Sequence, residues 1–314
     1  MKKVLVIISI GIITVLSACG NRVPPSNHIV IGSTRRIYAI DENGTKVSVS
    51  LPFSHYDVSA PSSSVQWSPN REWVIYQTEV SADPNAPQVF IVKVDGTKKF
   101  ELTNDEHGCG RDPIWSHDGS KIASYFACNK NGQNGIYAVD VSCLTNEQEC
   151  SFDYRFIAQG VTPSWSPHGR QIAFLTPDKQ VAVVSVENPT LAKVISPSDI
   201  ECLSLGLAWS PINNEIAASC HDPNSDIGLG ISLMDSDGSN FRRITFNNRD
   251  VSPIWSPDGT RIAFISDRNN TATPVPSLRS QTTAVFIVER NGSNLKQISP
   301  YGNEDIYWIT WTSP

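Results

Sequence analysis

The chain has 314 residues, a formal net charge of −6 at pH 7 and a hydrophobic content of 39%. Nucleic acids and anionic lipids bind basic protein surfaces, and an acidic chain lacks such a surface. We therefore expect no nucleic-acid binding and no electrostatic adhesion to membranes. The length is ample for a large core, and repeat architectures of this size often form one domain. After residue 18, no segment has the length and apolarity of a membrane span.

The first residues have the organisation of a secretory signal. A basic start at 1–3 precedes an apolar segment at 4–15, which is too short for a spanning helix. Leu16-Ser17-Ala18-Cys19 follows and resembles the lipobox of bacterial lipoproteins. That resemblance implies cleavage before Cys19 and a diacylglycerol on its sulfur. The alternative is an ordinary signal peptide with a chance cysteine.

These features divide the chain into three parts. We expect a lipoprotein signal peptide at 1–18, a polar, proline-rich tether at 19–27 and a folded domain at 28–314. The protein is then extracytoplasmic and lipid-anchored to a bacterial membrane through Cys19. Because Gly20 replaces the aspartate associated with inner-membrane retention, we expect the outer membrane where the cell has one.

One phrase recurs along the folded part of the chain. Each copy of this sequence motif begins with a short segment that ends in a tryptophan. In the full copies, a polar turn follows and leads into an apolar run such as Ile-Ala-Phe. The anchoring tryptophans are Trp67, Trp115, Trp165, Trp209, Trp255 and Trp311. Their spacings are 48, 50, 44, 46 and 56 residues, and periods of this size indicate propeller blades.

The residue types explain why each phrase forms two paired strands. In Ser-Pro-Asp-Gly, proline presets φ, aspartate bonds its own backbone and glycine takes a positive φ, so the sequence predicts a turn. A second hairpin with an Asp-Gly or Asn-Gly turn lies between phrases, as at 88–103, 229–245 and 284–299. The unit is therefore four antiparallel strands.

The chain ends predict how the ring closes. The N-terminal part of the folded domain has the pattern of a second, a third and a fourth strand, at 28–34, 36–41 and 45–51. The C-terminal residues 308–314 have the pattern of a first strand with no further strand after it. We therefore predict an all-β, six-bladed β-propeller of four-stranded antiparallel blades, whose last blade is closed by N- and C-terminal strands. An open array of β-sandwiches is the alternative.

At these phrases the chain resembles the TolB-type six-bladed propeller, whose repeats carry P-x-W-S-P-D-G-x-x-I-A-F followed by Ser-Asp. Residues 253–267 match nearly throughout, and the resemblance covers about 28–314. It implies the architecture and a habit of binding partners at a propeller mouth. It does not imply TolB itself, because TolB has an α/β domain before its propeller and only about nine residues separate Cys19 from the first strand here.

The register of the repeat pairs the cysteines. Two pairs place one cysteine before a blade's first strand and the other at the end of its second strand, and a third pair flanks the connection between a third and a fourth strand. The predicted bridges are Cys109–Cys128, Cys143–Cys150 and Cys202–Cys220. An oxidising compartment favours disulfides, and a metal site made of these thiols is the alternative.

Blade topology separates two faces of the propeller. The turn face carries the Ser-Pro-Asp-Gly turns and the Asp-Gly hairpins, and the loop face carries the connections into first strands and out of second strands. Loops favour binding, so we place a candidate ligand-binding mouth on the loop face. Its residues are Arg111, Asp112, His221, Asp222, Arg249, Asp250, Asp267, Arg268, Glu304 and Asp305. The alternative is that these charges pair with one another.

Catalytic signatures are missing from the sequence. It has no G-x-S-x-G, no H-E-x-x-H and no phosphate-binding loop, so we expect no catalytic residue, cofactor or metal. His55, His107 and His221 lie at the loop face by register, which leaves open a metal-dependent lyase or hydrolase. Exposed loop histidines are the simpler interpretation.

The leading interpretation is a monomeric, non-enzymatic scaffold that binds an envelope protein or peptide. The lipid tether and the rigid propeller favour it. A glycan-binding module is a further alternative, with Tyr301, Tyr307 and Trp308 as stacking surface.

Overall fold

A computed structural model of the protein describes residues 23–33, 36–53, 64–78, 87–103, 108–127, 133–145, 150–224, 228–247, 249–268, 283–300 and 305–312. The signal peptide and Cys19 lie outside these ranges. Among the described residues, no helix combines the length and apolarity needed to cross a membrane.

The described strands form six four-stranded antiparallel sheets, each of which is one blade. Blade 1 consists of β4 (Ser64–Trp67), β5 (Trp73–Thr78), β6 (Gln88–Lys93) and β7 (Lys99–Glu101). Blade 2 consists of β8 (Cys109–Trp115), β9 (Lys121–Ala127), β10 (Gly135–Asp140) and β11 (Asp153–Ala158), with a 3₁₀ turn at Ser142–Thr145. Blade 3 consists of β12 (Val161–Trp165), β13 (Gln171–Leu175), β14 (Val181–Ser185) and β15 (Lys193–Val194).

The remaining strands complete the ring. Blade 4 consists of β16 (Glu201–Trp209), β17 (Glu215–His221), β18 (Gly228–Asp235) and β19 (Arg242–Arg243). Blade 5 consists of β20 (Val251–Trp255), β21 (Arg261–Ser266), β22 (Ala284–Glu289) and β23 (Lys296–Gln297). The closing blade consists of β24 (Ile306–Trp311), β1 (Ile29–Ser33), β2 (Ile37–Ile40) and β3 (Lys46–Ser48).

The ring closes as the sequence predicted. Strand β24 pairs antiparallel with β1, with Trp311 opposite Ile29 and Ile309 opposite Ile31. The first strands β4, β8, β12, β16, β20 and β24 each contact the next one around the ring, and β24 contacts β4. The all-β, six-bladed architecture with a composite last blade is therefore confirmed.

The hydrophobic core lies between blades. Each of the six buried clusters joins two neighbouring blades. For example, Ile231 and Leu233 of blade 4 pack with Trp255, Phe264 and Phe286 of blade 5. Both faces of a blade are therefore covered, which is why its central strands are continuously apolar instead of alternating.

The recurring turn is held by its own side chains. In blade 5 the Ser256 hydroxyl donates to the Asp258 carboxylate (2.6 Å) and accepts from the Arg261 backbone N–H (3.0 Å). Gly259 has a φ of 64°, a conformation that glycine adopts without steric cost. The turn chemistry in the sequence thus acts as predicted.

Two of the three predicted disulfides are present in the structure. They are Cys143–Cys150, across the connection between β10 and β11, and Cys202–Cys220, which lie directly opposite on β16 and β17. Cys109 is buried and lies opposite Ala127, but its predicted partner Cys128 is outside the described residues. The Cys109–Cys128 bridge stays a prediction.

Non-reducing peptide mapping of the protein secreted into an oxidising compartment tests that bridge. We expect three links, each within one blade, including Cys109–Cys128, because β8 and β9 bring those ends together. A link between cysteines of different blades, or alkylation of both Cys109 and Cys128, contradicts the prediction.

Gly32 packs closely against Trp308 where the ring closes, and a substitution that adds one methyl group tests this contact. A Cβ added to Gly32 would lie 2.0 Å from the Trp308 indole, so Gly32→Ala forces the ring to move. We expect a loss of about 1–3 kcal/mol in the free energy of unfolding, measured by chemical denaturation. In a Trp308→Phe background the same substitution should cost less, because the smaller ring leaves room. An equal cost in both backgrounds argues against this contact.

Candidate functional site

A cavity of about 320 Å³ lies where the first strands of the blades meet, and its lining extends to the turn face. All six repeat tryptophans line it: Trp67, Trp115, Trp165, Trp209, Trp255 and Trp311. Ile114, Ala208 and Ile254, each one residue before a tryptophan, add apolar wall. Pro69, His117, Pro211 and Pro257 line it at the turn face, beyond the tryptophans. We call this the axial cavity.

The tryptophans have a structural role as well as a place in the wall. The indole N–H of Trp165 donates to the Ile114 carbonyl (3.2 Å), and that of Trp255 donates to the Ala208 carbonyl (3.0 Å), each on the preceding blade. The indole nitrogens of Trp67, Trp115, Trp209 and Trp311 are buried and have no acceptor in the described part of the chain. The repeat tryptophans therefore join neighbouring blades as well as lining the cavity.

At the loop face, four of the predicted mouth residues pair with one another in blade 5. Arg249 reaches Asp267 (3.1 Å), and the Nε of Arg268 donates to Asp250 (3.2 Å). These are crossed pairs on either side of β20 and β21. The Asp250 carboxylate is fully buried and the Arg268 side chain is only 11% exposed, whereas Arg249 is 60% exposed. These four residues therefore fit the alternative interpretation, in which the charges of the mouth pair with one another.

His221 and Asp222 lie at the loop end of blade 4. The His221 Nε2 is 3.6 Å from a Glu201 carboxylate oxygen, which Lys179 also reaches at 2.7 Å. The hydrogen bond from Lys179 lowers the pKa of Glu201. Asp222 accepts from the backbone N–H of Asn224 (2.8 Å). Sequence reasoning missed Lys179 and Glu201, because only the folded ring brings the connection between β13 and β14 beside β16.

Asp112 is held in an unusual backbone conformation on β8. Its φ is 52°, and Thr162 and Ser252 take similar values at the same position, three residues before a tryptophan and directly before a proline. A strand irregularity accompanies each of them. Asp112 and its neighbour Arg111 have exposed side chains at the loop face. Desolvation raises the pKa of the Asp112 carboxyl to about 6, against the opposing effect of Arg111.

Asp305 is half-buried before β24, and burial raises the pKa of its carboxyl. Its Oδ1 atom is buried and has no hydrogen-bond partner among the described residues. Glu304, His55 and His107 lie outside the described residues, so the mouth as one site stays a prediction and the three-histidine metal site stays an untested alternative. Within the part of the chain that the structure describes, no three His, Cys, Asp or Glu side chains lie together as metal ligands would.

The glycan interpretation loses one of its aromatic surfaces. Trp308 is 6% exposed and packs in the cluster between the closing blade and blade 1, with Tyr307 against the same cluster. Trp308 is therefore a core residue, and Tyr301 lies outside the described residues.

A second cavity, of about 500 Å³, lies between blades 4 and 5 at the turn face. Beside it the buried Glu215 accepts from Arg242 (2.6 Å) and from Arg290 of the next blade. The turn of blade 4 differs from the repeat in sequence, since blade 4 has Ile212 where blades 2 and 5 have the turn aspartate. The two arginines join the blades through one carboxylate.

The fold and the axial cavity define a six-bladed β-propeller with a tryptophan-lined centre. Residues 156–307 match the family "PD40: TolB beta propeller domain". The TolB homolog of Chlorobium chlorochromatii is 32% identical over 154 residues, which are 48% of this chain and 32% of that protein. Human Tubby-related protein 4 is 28% identical over 153 residues, which are 48% of this chain and 9% of that protein.

Solved structures confirm the architecture over nearly the whole chain. The putative TolB from Agrobacterium tumefaciens gives a TM-score of 0.57 at 16% identity, covering 90% of this chain and 96% of that one. A chain in a nidogen/laminin complex gives 0.60 at 10% identity, covering 90% and 97%. The chain covers about a third of the curated TolB homologues it matches. It is TolB-like in its propeller and is not TolB itself.

The raised pKa of Asp112 predicts a pH-dependent stability. The stability that its neutral carboxyl contributes is fully present below the ordinary value of 3.8 and is lost as the pH rises through about 6. Asp112→Asn keeps a residue that tolerates a positive φ and removes the charge. We expect the variant to melt above the wild type at pH 8 and with it near pH 4, measured by circular dichroism. A wild type that melts higher at pH 8 contradicts the assignment.

Proposed function

We propose that the protein is a lipid-anchored, extracytoplasmic scaffold that binds a segment of a protein partner in its axial cavity. The observation that carries the proposal is the cavity itself. Its volume of about 320 Å³ is within the usual range of ligand pockets, and apolar and aromatic walls are typical of them. Buried tryptophans in a pocket are also typical of the residues that dominate protein recognition energies.

The location rests on one sequence feature and one structural feature. The lipobox-like segment at 16–19 favours export and lipidation, and the disulfides favour an oxidising compartment. The partner is accordingly an envelope protein or peptide.

The physical form of the cavity suggests what it accepts. Proline and histidine line the side towards the turn face, and tryptophan forms the wall behind them, so an apolar side chain of an extended segment would be enclosed by apolar surface.

Site-specific photo-crosslinking in cells tests this function. A photoreactive residue at His117, at the turn-face side of the axial cavity, should give one discrete adduct, and one at the exposed Asn224 on the loop face should not. Ala208→Phe fills the cavity and should abolish the adduct, whereas Ala208→Ser should preserve it.

The outcomes separate the two faces. An adduct only at Asn224 moves the binding site to the loop-face mouth. An adduct at His117 that survives Ala208→Phe contradicts binding inside the cavity. Mass spectrometry of the Cys19 peptide tests the anchor, and Cys19→Ser should release the protein from the membrane fraction.

A further inference from the structure

The segment before the first strand is bound to the propeller at the turn face. The Pro24 carbonyl accepts from the Arg71 guanidinium, in the turn between β4 and β5. The Pro25 carbonyl accepts from the Thr312 hydroxyl (2.7 Å), directly after β24. The backbone N–H of Thr312 donates to the His28 carbonyl (2.9 Å). Both partners lie at the ends of first strands that meet the turn face.

This attachment is also close to the propeller axis. Strands β4 and β24 are neighbouring innermost strands, and their tryptophans, Trp67 and Trp311, line the axial cavity. Pro24 is buried where it meets Arg71. The chain therefore leaves the propeller beside the axis and not at its outer rim.

The remaining tether is short. Three residues separate Val23 from Cys19, so the four Cα–Cα steps between them span at most about 14 Å when fully extended. A blade of four strands extends roughly 14 Å outward from its innermost strand, and strands of this length are about 20 Å tall. A tether that starts beside the axis on the turn face cannot pass around the rim and reach the loop face.

We infer that the propeller sits with its turn face towards the lipid surface and its loop face towards the aqueous compartment. The inference rests on the lipid anchor of the proposed function. The axial cavity then opens on the gap between propeller and bilayer, which restricts its partner to a protein segment that reaches the membrane surface. Arg111, His221 and Arg249 lie at the loop face, on the side of the propeller away from the lipid.

Blade 3 offers a matched pair of positions for a test. Leu191 is 81% exposed in the turn between β14 and β15, on the turn face. Asp178 is exposed in the connection between β13 and β14, on the loop face. Because both belong to one blade, tilting moves them together, and a difference between them reports which face is nearer the lipid.

The experiment uses the full-length protein, lipidated in cells, purified in detergent and reconstituted on vesicles of phosphatidylcholine that carry a nitroxide on the headgroup. A dye is attached through p-azidophenylalanine at position 191 or 178. We expect several-fold stronger quenching at 191 than at 178. Equal quenching, or stronger quenching at 178, overturns the inference.

Two variants test whether the short tether causes the difference in quenching between positions 191 and 178. A flexible 20-residue Gly/Ser insertion between Arg22 and Val23 has an average reach of about 25 Å and a much longer maximum, so the quenching contrast should disappear while lipidation persists. Thr312→Val removes the hydroxyl that holds Pro25 and should reduce the contrast by lengthening the free tether. Unchanged contrast in the insertion variant contradicts control by the tether.

Failure of the inference is distinguishable from failure of the anchor. Mass spectrometry of each preparation before reconstitution reports the diacylglycerol on Cys19. Protein that lacks the lipid overturns the anchor, and with it this inference. Protein that carries the lipid and shows no contrast overturns the orientation alone.

Discussion

The structure depends on one requirement, that both faces of every blade be covered by another blade. Central strands such as β13 and β21 are apolar on both sides, so an isolated blade would expose two hydrophobic surfaces. Six clusters fill the six spaces between blades, and the two spaces that flank the closing blade exist only because β24 pairs with β1. Closure of the ring is therefore the condition under which every blade is covered on both faces.

The same requirement explains where charges are found. Buried carboxylates are kept at blade ends, where a guanidinium can reach them, as in Asp250 with Arg268 and Glu215 with Arg242 and Arg290. A buried charge without such a partner would be costly, so these residues join strands or blades. Conversely, the axial region is bordered by six first strands without further layers, and there the protein leaves a cavity that a ligand can occupy.

The protein combines a shared repeat with features of its own. The match to the TolB beta propeller domain concerns the repeat, whose residues mainly form the turns and strands of the blades. Individual character comes from departures from that repeat, such as Ile212 in the altered turn of blade 4 and the N-terminal segment bound to Thr312. A partner that distinguishes this propeller from others would contact those departures.

The sequence by itself determined the blades, the closing strand pair and two of the disulfides. The blades and the two disulfides follow from local chemistry, since turn residues set hairpins and hairpins set which cysteines lie opposite each other. The closing pair follows from the repeat pattern, which leaves a first strand at one end of the chain and a second strand at the other. Only the tertiary structure decided that six tryptophans surround one cavity, that Arg268 serves the buried Asp250, and that the tether is bound at the turn face. Trp67 and Trp311 illustrate the reason: they are 244 positions apart in the chain, and only closure of the ring makes them neighbours.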